Sequence, residues 1–228
     1  EQYALLVIDR SEATLGILRG ARIKVLKHMF SQVPSKHGKG GQSRRRFERL
    51  IEEAAHEWYK RVAGTADDFF SAGDIEAMLI GGPGATKDYF IGKEYLQYEL
   101  QGKVLSSFDT GYTDETGLRE LVTNAAGKLQ EVQLIQEKQL MERFMQEVMS
   151  PRKGLATYGE KQVREALQRG AVDQLLVSEV VDQELVRELA TLAEKSRSSV
   201  ELVSTGTEGG AALQNAFGGV AAILRYAT

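Results

Sequence analysis

A chain of 228 residues with 42% hydrophobic residues can bury one large or two small cores, and it carries a formal net charge of −3. It has no cysteine, which excludes disulfides and thiolate metal sites, and no apolar run near the roughly 18 residues that span a bilayer. His28, His37 and His56 are too scattered for metal-ligand spacing, so no metal or cofactor is expected. The chain opens without a Met and without a secretory pattern, which predicts a fragment of a longer cytoplasmic protein.

Residues 3–8 and 13–18 read as strands joined by a hairpin at Asp9–Glu12, and residues 22–30 as a third strand. Residues 31–42 lack any period and contain Pro34, Gly38, Gly40 and Gly41, the signature of a loop. A long helix follows. Phe47, Leu50, Ile51, Ala54, Ala55, Trp58 and Val62 recur at steps of three and four, with Ser43 as the expected N-cap. Residues 76–80 predict a buried strand ending in Gly81-Gly82-Pro83-Gly84. Short helical pieces over 85–100 and a strand over 104–108 come next. A second long helix fits 115–149, with a break expected near Gly127 and an apolar face made by Leu134, Ile135, Leu140, Met141, Phe144, Met145 and Val148. Beyond Pro151, helices over 161–168, 184–193 and 209–216 alternate with strands over 172–177, 200–203 and 220–226. This alternation predicts a mixed α/β fold in two layered domains, 1–132 and 133–228.

The charge is unevenly placed. Between residues 35 and 49, Lys36, Lys39, Arg44, Arg45, Arg46 and Arg49 stand against Glu48 alone, on an otherwise acidic chain. Inside that basic run lies Gly40-Gly41-Gln42. Two adjacent glycines permit positive φ and close approach to a ligand. The Gln supplies one acceptor and two donors without charge, so it can position a molecule but cannot serve as a general base. Arg44, Arg45 and Arg46 fall in the first helical turn, where each exposed cation costs roughly 0.3–1 kcal/mol. A phosphate backbone would reverse that cost, because guanidinium groups and helix N-termini both favour phosphates. The pattern describes a basic arm that delivers a neutral amide into a polyanionic site; a plain mobile loop with solvated charges is the competing reading.

Gly81–Lys87 departs from a phosphate loop, with Thr86 at the second Gly position and Asp88 at the Ser/Thr position, and reads as a turn. His56 reads as a surface or partly packed histidine and Trp58 as core.

The string Pro34-Ser35-Lys36-His37-Gly38-Lys39-Gly40-Gly41-Gln42-Ser43, followed by Arg46-Phe47, resembles the catalytic loop of class I peptide chain release factors of the archaeal and eukaryotic type. Leu134–Leu140, Tyr158-Gly159, Gly170-Ala171-Val172, Phe217–Val220 and Ile223–Tyr226 extend the resemblance over nearly the whole chain, with the archaeal members as the expected placement. The resemblance implies that the loop enters the ribosomal peptidyl-transferase centre, where Gly40, Gly41 and Gln42 promote hydrolysis of peptidyl-tRNA. Lys36, His37, Lys39, Arg44, Arg45 and Arg46 would contact RNA. It implies a second domain with the fold of a kink-turn-binding ribosomal protein, docking a translational GTPase and a ribosome-recycling ATPase. A monomer acting with the ribosome rather than a stand-alone enzyme is expected, and side-chain methylation of Gln42 is allowed.

The family's N-terminal, stop-codon-reading domain has no counterpart in these residues. Many members also insert a small subdomain where Val177-Ser178-Glu179 here meets Val180-Val181-Asp182. A true absence and a segment missing from this sequence both stay open. The alternative readings are a ribosome-rescue relative of the same fold, which would lack the Gly-Gly-Gln tip, a simple RNA-binding module, and a stand-alone peptidyl-tRNA hydrolase, for which no nucleophile–base pair is present.

Overall fold

The computed structural model describes residues 2–33, 44–150 and 154–227. They form two units, Glu1–Lys128 and Leu129–Thr228. No helix among the described residues is long and apolar enough to cross a membrane.

The first unit runs β1 (Gln2–Ile8), β2 (Glu12–Arg19), β3 (Arg22–Phe30), α1 (Arg44–Phe70), β4 (Ala77–Gly82), α2 (Thr86–Gly92), α3 (Tyr98–Gln101), β5 (Val104–Asp109) and the first part of α4 (Glu115–Met149). Its sheet has the order β3-β2-β1-β4-β5. The hairpin neighbours pair antiparallel, while β1, β4 and β5 run parallel. β1 and β4 read as continuous apolar runs rather than alternating ones because both faces of the sheet are covered. Ala4, Leu6, Ile8, Ala13 and Leu15 pack with Trp58, Val62, Ala66 and Phe70 of α1 in one core. On the other face lies α4: a Cβ at Gly81 would come 3.1 Å from the Leu121 side chain.

The second unit contains the rest of α4, then β6 (Ala156–Tyr158), α5 (Glu160–Gln168), β7 (Val172–Ser178), α6 (Gln183–Lys195), β8 (Ser199–Val203), α7 (Glu208–Phe217) and β9 (Val220–Leu224). The sheet order is β6-β9-β7-β8. β9 shows how the layers form. Val220, Ala222 and Leu224 face the core made with α5 and α6, whereas Ala221 and Ile223 face the one made with Leu140, Met141 and Phe144 of α4 and Leu213 of α7. Asp182 caps α6 by accepting from the Glu184 N–H at 2.8 Å, and Thr207 caps α7 by accepting from the Gly210 N–H at 3.1 Å.

The architecture is the mixed α/β one expected, with local differences. α4 is unbroken at Gly127, an exposed position with open space around it, where a single helical Gly costs only about 1 kcal/mol. Leu134 and Ile135 are about half exposed rather than on a buried face. The three-residue β6 was not anticipated, being too short to show a period. The last strand ends at Leu224, where the Arg225 side chain turns to donate to the Ser196 and Arg197 carbonyls.

Asp67 of α1 is a buried carboxylate. Its two oxygens accept from the Gln97 N–H at 3.1 and 3.3 Å, at the start of α3. Burial pushes its carboxyl above the ordinary range, more than the Gln97 N–H lowers it, and Asp68 adds to the rise. A raised folded-state pKa means that its contribution is fully present below the ordinary pKa and is lost as pH rises through the raised value. Asp67→Asn keeps an acceptor without the charge. The variant should therefore be more stable than the parent in urea at neutral pH, with the gap closing below about pH 4, where the parent carboxyl is protonated too.

Candidate functional site: the base of the basic arm

The tip residues Lys36, His37, Lys39, Gly40, Gly41 and Gln42, and the expected cap Ser43, lie outside the described residues. The two ends from which the tip springs are described, and they differ in character.

The outgoing end is pinned. The Ser31 N–H donates to the Ser11 carbonyl at 2.7 Å, and the Ser31 hydroxyl to the Arg10 carbonyl at 2.6 Å. The Val33 N–H then donates to the Ser31 hydroxyl oxygen at 3.0 Å. The β1–β2 turn that supplies these carbonyls is itself held by Asp9, whose Oδ1 accepts from the Ser11 and Glu12 N–H groups at 2.6 and 2.8 Å. α1 locks the same point from the other side. Trp58 Nε1 donates to the Asp9 carbonyl at 2.9 Å, while the Arg61 guanidinium lies 4.8 Å over the Trp58 ring and donates to the Phe30 carbonyl at 2.5 Å. A cation stacked on an indole and bonded to a carbonyl resists displacement more than either contact alone.

The returning end projects. Arg44 opens α1, and Arg45, Arg46 and Arg49 are exposed along its first turns, with no acidic residue in the first turn. Phe47 and Leu50, expected on the apolar face, are 38% and 52% exposed; burial starts at Ile51. The helix thus extends roughly 9 Å, at 1.5 Å per residue, before it meets the core. Phe47 and Leu50 are interleaved with Arg45, Arg46 and Arg49 along an exposed stretch of helix.

The edge strand β3, which leads into the arm after Phe30, carries Arg22, Lys24 and Lys27, all exposed, with Lys27 nearest the departure point and Arg22 at the strand's opposite end. Sequence reasoning left these out because they lie before the loop; the signal available was the run of cations in a strand of otherwise alternating pattern. Lys87, by contrast, is consumed internally. It is buried, and its Nζ donates to the Gly84 carbonyl at 2.5 Å and to Asp109 Oδ1 at 2.6 Å, so the glycine turn after β4 is built around its own lysine and not around a phosphate.

The chain matches the family models for eRF1 domain 2 over residues 2–131 and eRF1 domain 3 over residues 134–228. It is 43% identical to peptide chain release factor subunit 1 of Thermoplasma acidophilum, over 99% of this chain and 64% of that protein. Among solved structures it is similar to the archaeal translation termination factor aRF1 (30% identity, TM-score 0.50, covering 99% of this chain and 62% of that one). It is also similar to a chain of the ribosome-bound archaeal Pelota and ABCE1 assembly (27% identity, TM-score 0.68, covering 99% and 62%). The chain therefore spans a little under two thirds of the length of these proteins.

Proposed function

The chain belongs to the eRF1 family of peptide chain release factors, and from that membership we propose that its Gly40-Gly41-Gln42 loop promotes hydrolysis of the peptidyl-tRNA ester in the ribosomal peptidyl-transferase centre. The observation that carries the reading is the arm's base: a rigidly anchored exit at Ser31 opposite a protruding, arginine-bearing start of α1. Such a base puts cations at the point where the chain re-enters the domain.

In this reading residues 1–132 form the catalytic domain. Arg44, Arg45 and Arg46, with Lys36, His37 and Lys39, pair with RNA phosphates. Gln42 positions a water against the ester, and its backbone N–H donates to the developing oxyanion or the leaving group. Gly40 and Gly41 supply the backbone shape. The remaining catalytic groups belong to ribosomal RNA and tRNA, which accounts for the lack of a nucleophile–base pair in the loop sequence. Residues 133–228 dock a translational GTPase and a recycling ATPase; the likeness to a chain from a ribosome-bound assembly supports partners of this kind. The protein acts in the cytoplasm, on the ribosome.

A ribosome-rescue role is the second reading, favoured by the likeness to the Pelota assembly. Gln42 separates the two, since a rescue factor needs no amide at the tip. The test is release of a labelled peptide from ribosomes. Gln42→Ala should slow release about tenfold, the worth of one well-placed hydrogen bond of roughly 1.4 kcal/mol, with ribosome binding retained. Parent-rate release by Gln42→Ala would count against the proposal.

A further inference from the structure

Between α1 and α2 the first unit holds a groove that the release reading leaves without a role. A cavity of about 340 Å³ is lined by Arg10, Glu52, His56, Tyr59, Thr86 and Tyr89. A second hollow shares His56 and Tyr89 and adds Lys60, Lys93 and Glu94. We propose that this groove accepts one unstacked base of a single-stranded RNA, with Tyr89 as the stacking surface and Arg45, Arg49, Lys60 and Lys93 holding the flanking phosphates.

The walls are aromatic. Tyr89 lies 5.8 Å from Tyr59 and 6.4 Å from Tyr95 between ring centroids, and Phe90 stacks on Tyr95 at 5.5 Å. His56 Nδ1 and the Tyr95 hydroxyl share a 2.7 Å hydrogen bond that ties α1 to the segment after α2. Burial and the adjacent Tyr89 push the Tyr95 hydroxyl up to about 12, so this wall stays uncharged. Tyr89 itself is 49% exposed and is thus available to a ligand. Aromatic faces of this kind stack on any base.

The charges select the ligand. Lys93 Nζ already sits 5.7 Å over the Tyr89 ring, which supplies the cation that an aromatic cage would otherwise recruit and disfavours a methylated-lysine ligand. Arg10 reinforces that sign, Lys60 is paired with Glu57 at 3.1 Å and must exchange that carboxylate for a phosphate, and Glu52 and Glu94 offer acceptors for the amino groups of a base. The volume is near the lower end of small-molecule clefts, roughly 300 Å³, which suits one base and no duplex. The position also fits. Residues 45, 49, 52, 56 and 60 recur at steps of three and four along α1, so they share one helical face. A strand lying along the exposed Arg45 and Arg49 would reach the groove without leaving that face.

The proposal concerns free RNA, so it can fail while the release reading stands. The probe is a short single-stranded RNA carrying one 4-thiouridine, bound to the chain and crosslinked by light. Crosslinks are expected at Tyr89 or Tyr95. Tyr89→Ala should weaken binding about tenfold, and Tyr89→Phe should retain it. Lys93→Gln, an independent check should Tyr89→Ala fold poorly, should lower the slope of log affinity against log salt by about 0.7. Parent-like binding in both Tyr89→Ala and Lys93→Gln, with crosslinks confined to other surfaces, would overturn the proposal. So would capture of a trimethyl-lysine peptide that depends on Tyr89 when RNA binding does not.

Discussion

Gly41→Ala is expected to abolish peptide release while leaving ribosome binding nearly intact. In the proposed mechanism a methyl group at Gly41 would do two things at once: it would restrict the backbone freedom that glycine has at positive φ, at roughly 1–2 kcal/mol, and it would fill the space through which a backbone amide approaches RNA and ester. The neighbouring amide N–H of Gln42 then misses the developing charge. Loss of one such preorganised donor costs about 10² to 10³ in rate, and misplacement of the Gln42 side chain adds to it. A fall in release of at least about a hundredfold is therefore expected.

Binding should change by less than about threefold, because the proposed function assigns the phosphate contacts that carry affinity to cations on either side of the tip and not to the glycines. The measurement is single-turnover release of labelled peptide at saturating factor, beside sedimentation of the factor with ribosomes, in a protein of the relatives' full length. Equal losses of release and binding would show that the glycines shape the arm's docking and not its chemistry.

Gly82→Ala is expected to unfold the first unit more than any single surface change. Gly82 ends β4 at a φ of 152°, and an added Cβ would stand 2.1 Å from the Ile8 carbonyl oxygen at the end of β1. That is a collision with backbone, not with the end of a flexible side chain, so β1 and β4 must separate just where their parallel pairing finishes at Val7 and Gly81. The same position feeds the turn that Lys87 closes on Gly84 and Asp109. A strained conformation alone costs about 1–3 kcal/mol, and the collision should carry the total above about 3 kcal/mol.

The readout is built in. Trp58 is the only tryptophan, is 2% exposed and belongs to the α1 core, so its emission follows this unit. Urea melts should show the midpoint lowered by at least about 1 M. Gly84→Ala is the internal comparison: it shares a positive φ, 63°, but meets open space, and should cost only about 1 kcal/mol. Matching midpoints for the two variants would mean that the approach of Gly82 to Ile8 carries no weight.

Much of this protein is readable without coordinates. The strand and helix order follows from apolar periodicity, because an element's own face must be apolar wherever it is buried. The basic focus from Lys36 to Arg49 and the Gly-Gly-Gln tip are local strings, and local strings survive any packing. Sequence alone therefore determined the mixed α/β class and the family, and it marked the basic run and the Gly-Gly-Gln string.

Only the tertiary structure decided where those elements meet and where they stop. Periodicity places Phe47 and Leu50 on the same stripe as Trp58, but it cannot say that α1 runs past the sheet before its first buried turn. It marks Gly127 as a weak point, yet α4 continues through it. The Arg61–Phe30 bond and the His56–Tyr95 pair join residues 31 and 39 positions apart. Such contacts depend on strand order and helix placement, which no local pattern encodes. His56, unremarkable in the sequence, becomes a wall of a groove for that reason. The Gly-Gly-Gln string was legible because it is local in sequence. The anchoring of its base and the groove beside it were not, because both are made by residues that only folding brings together.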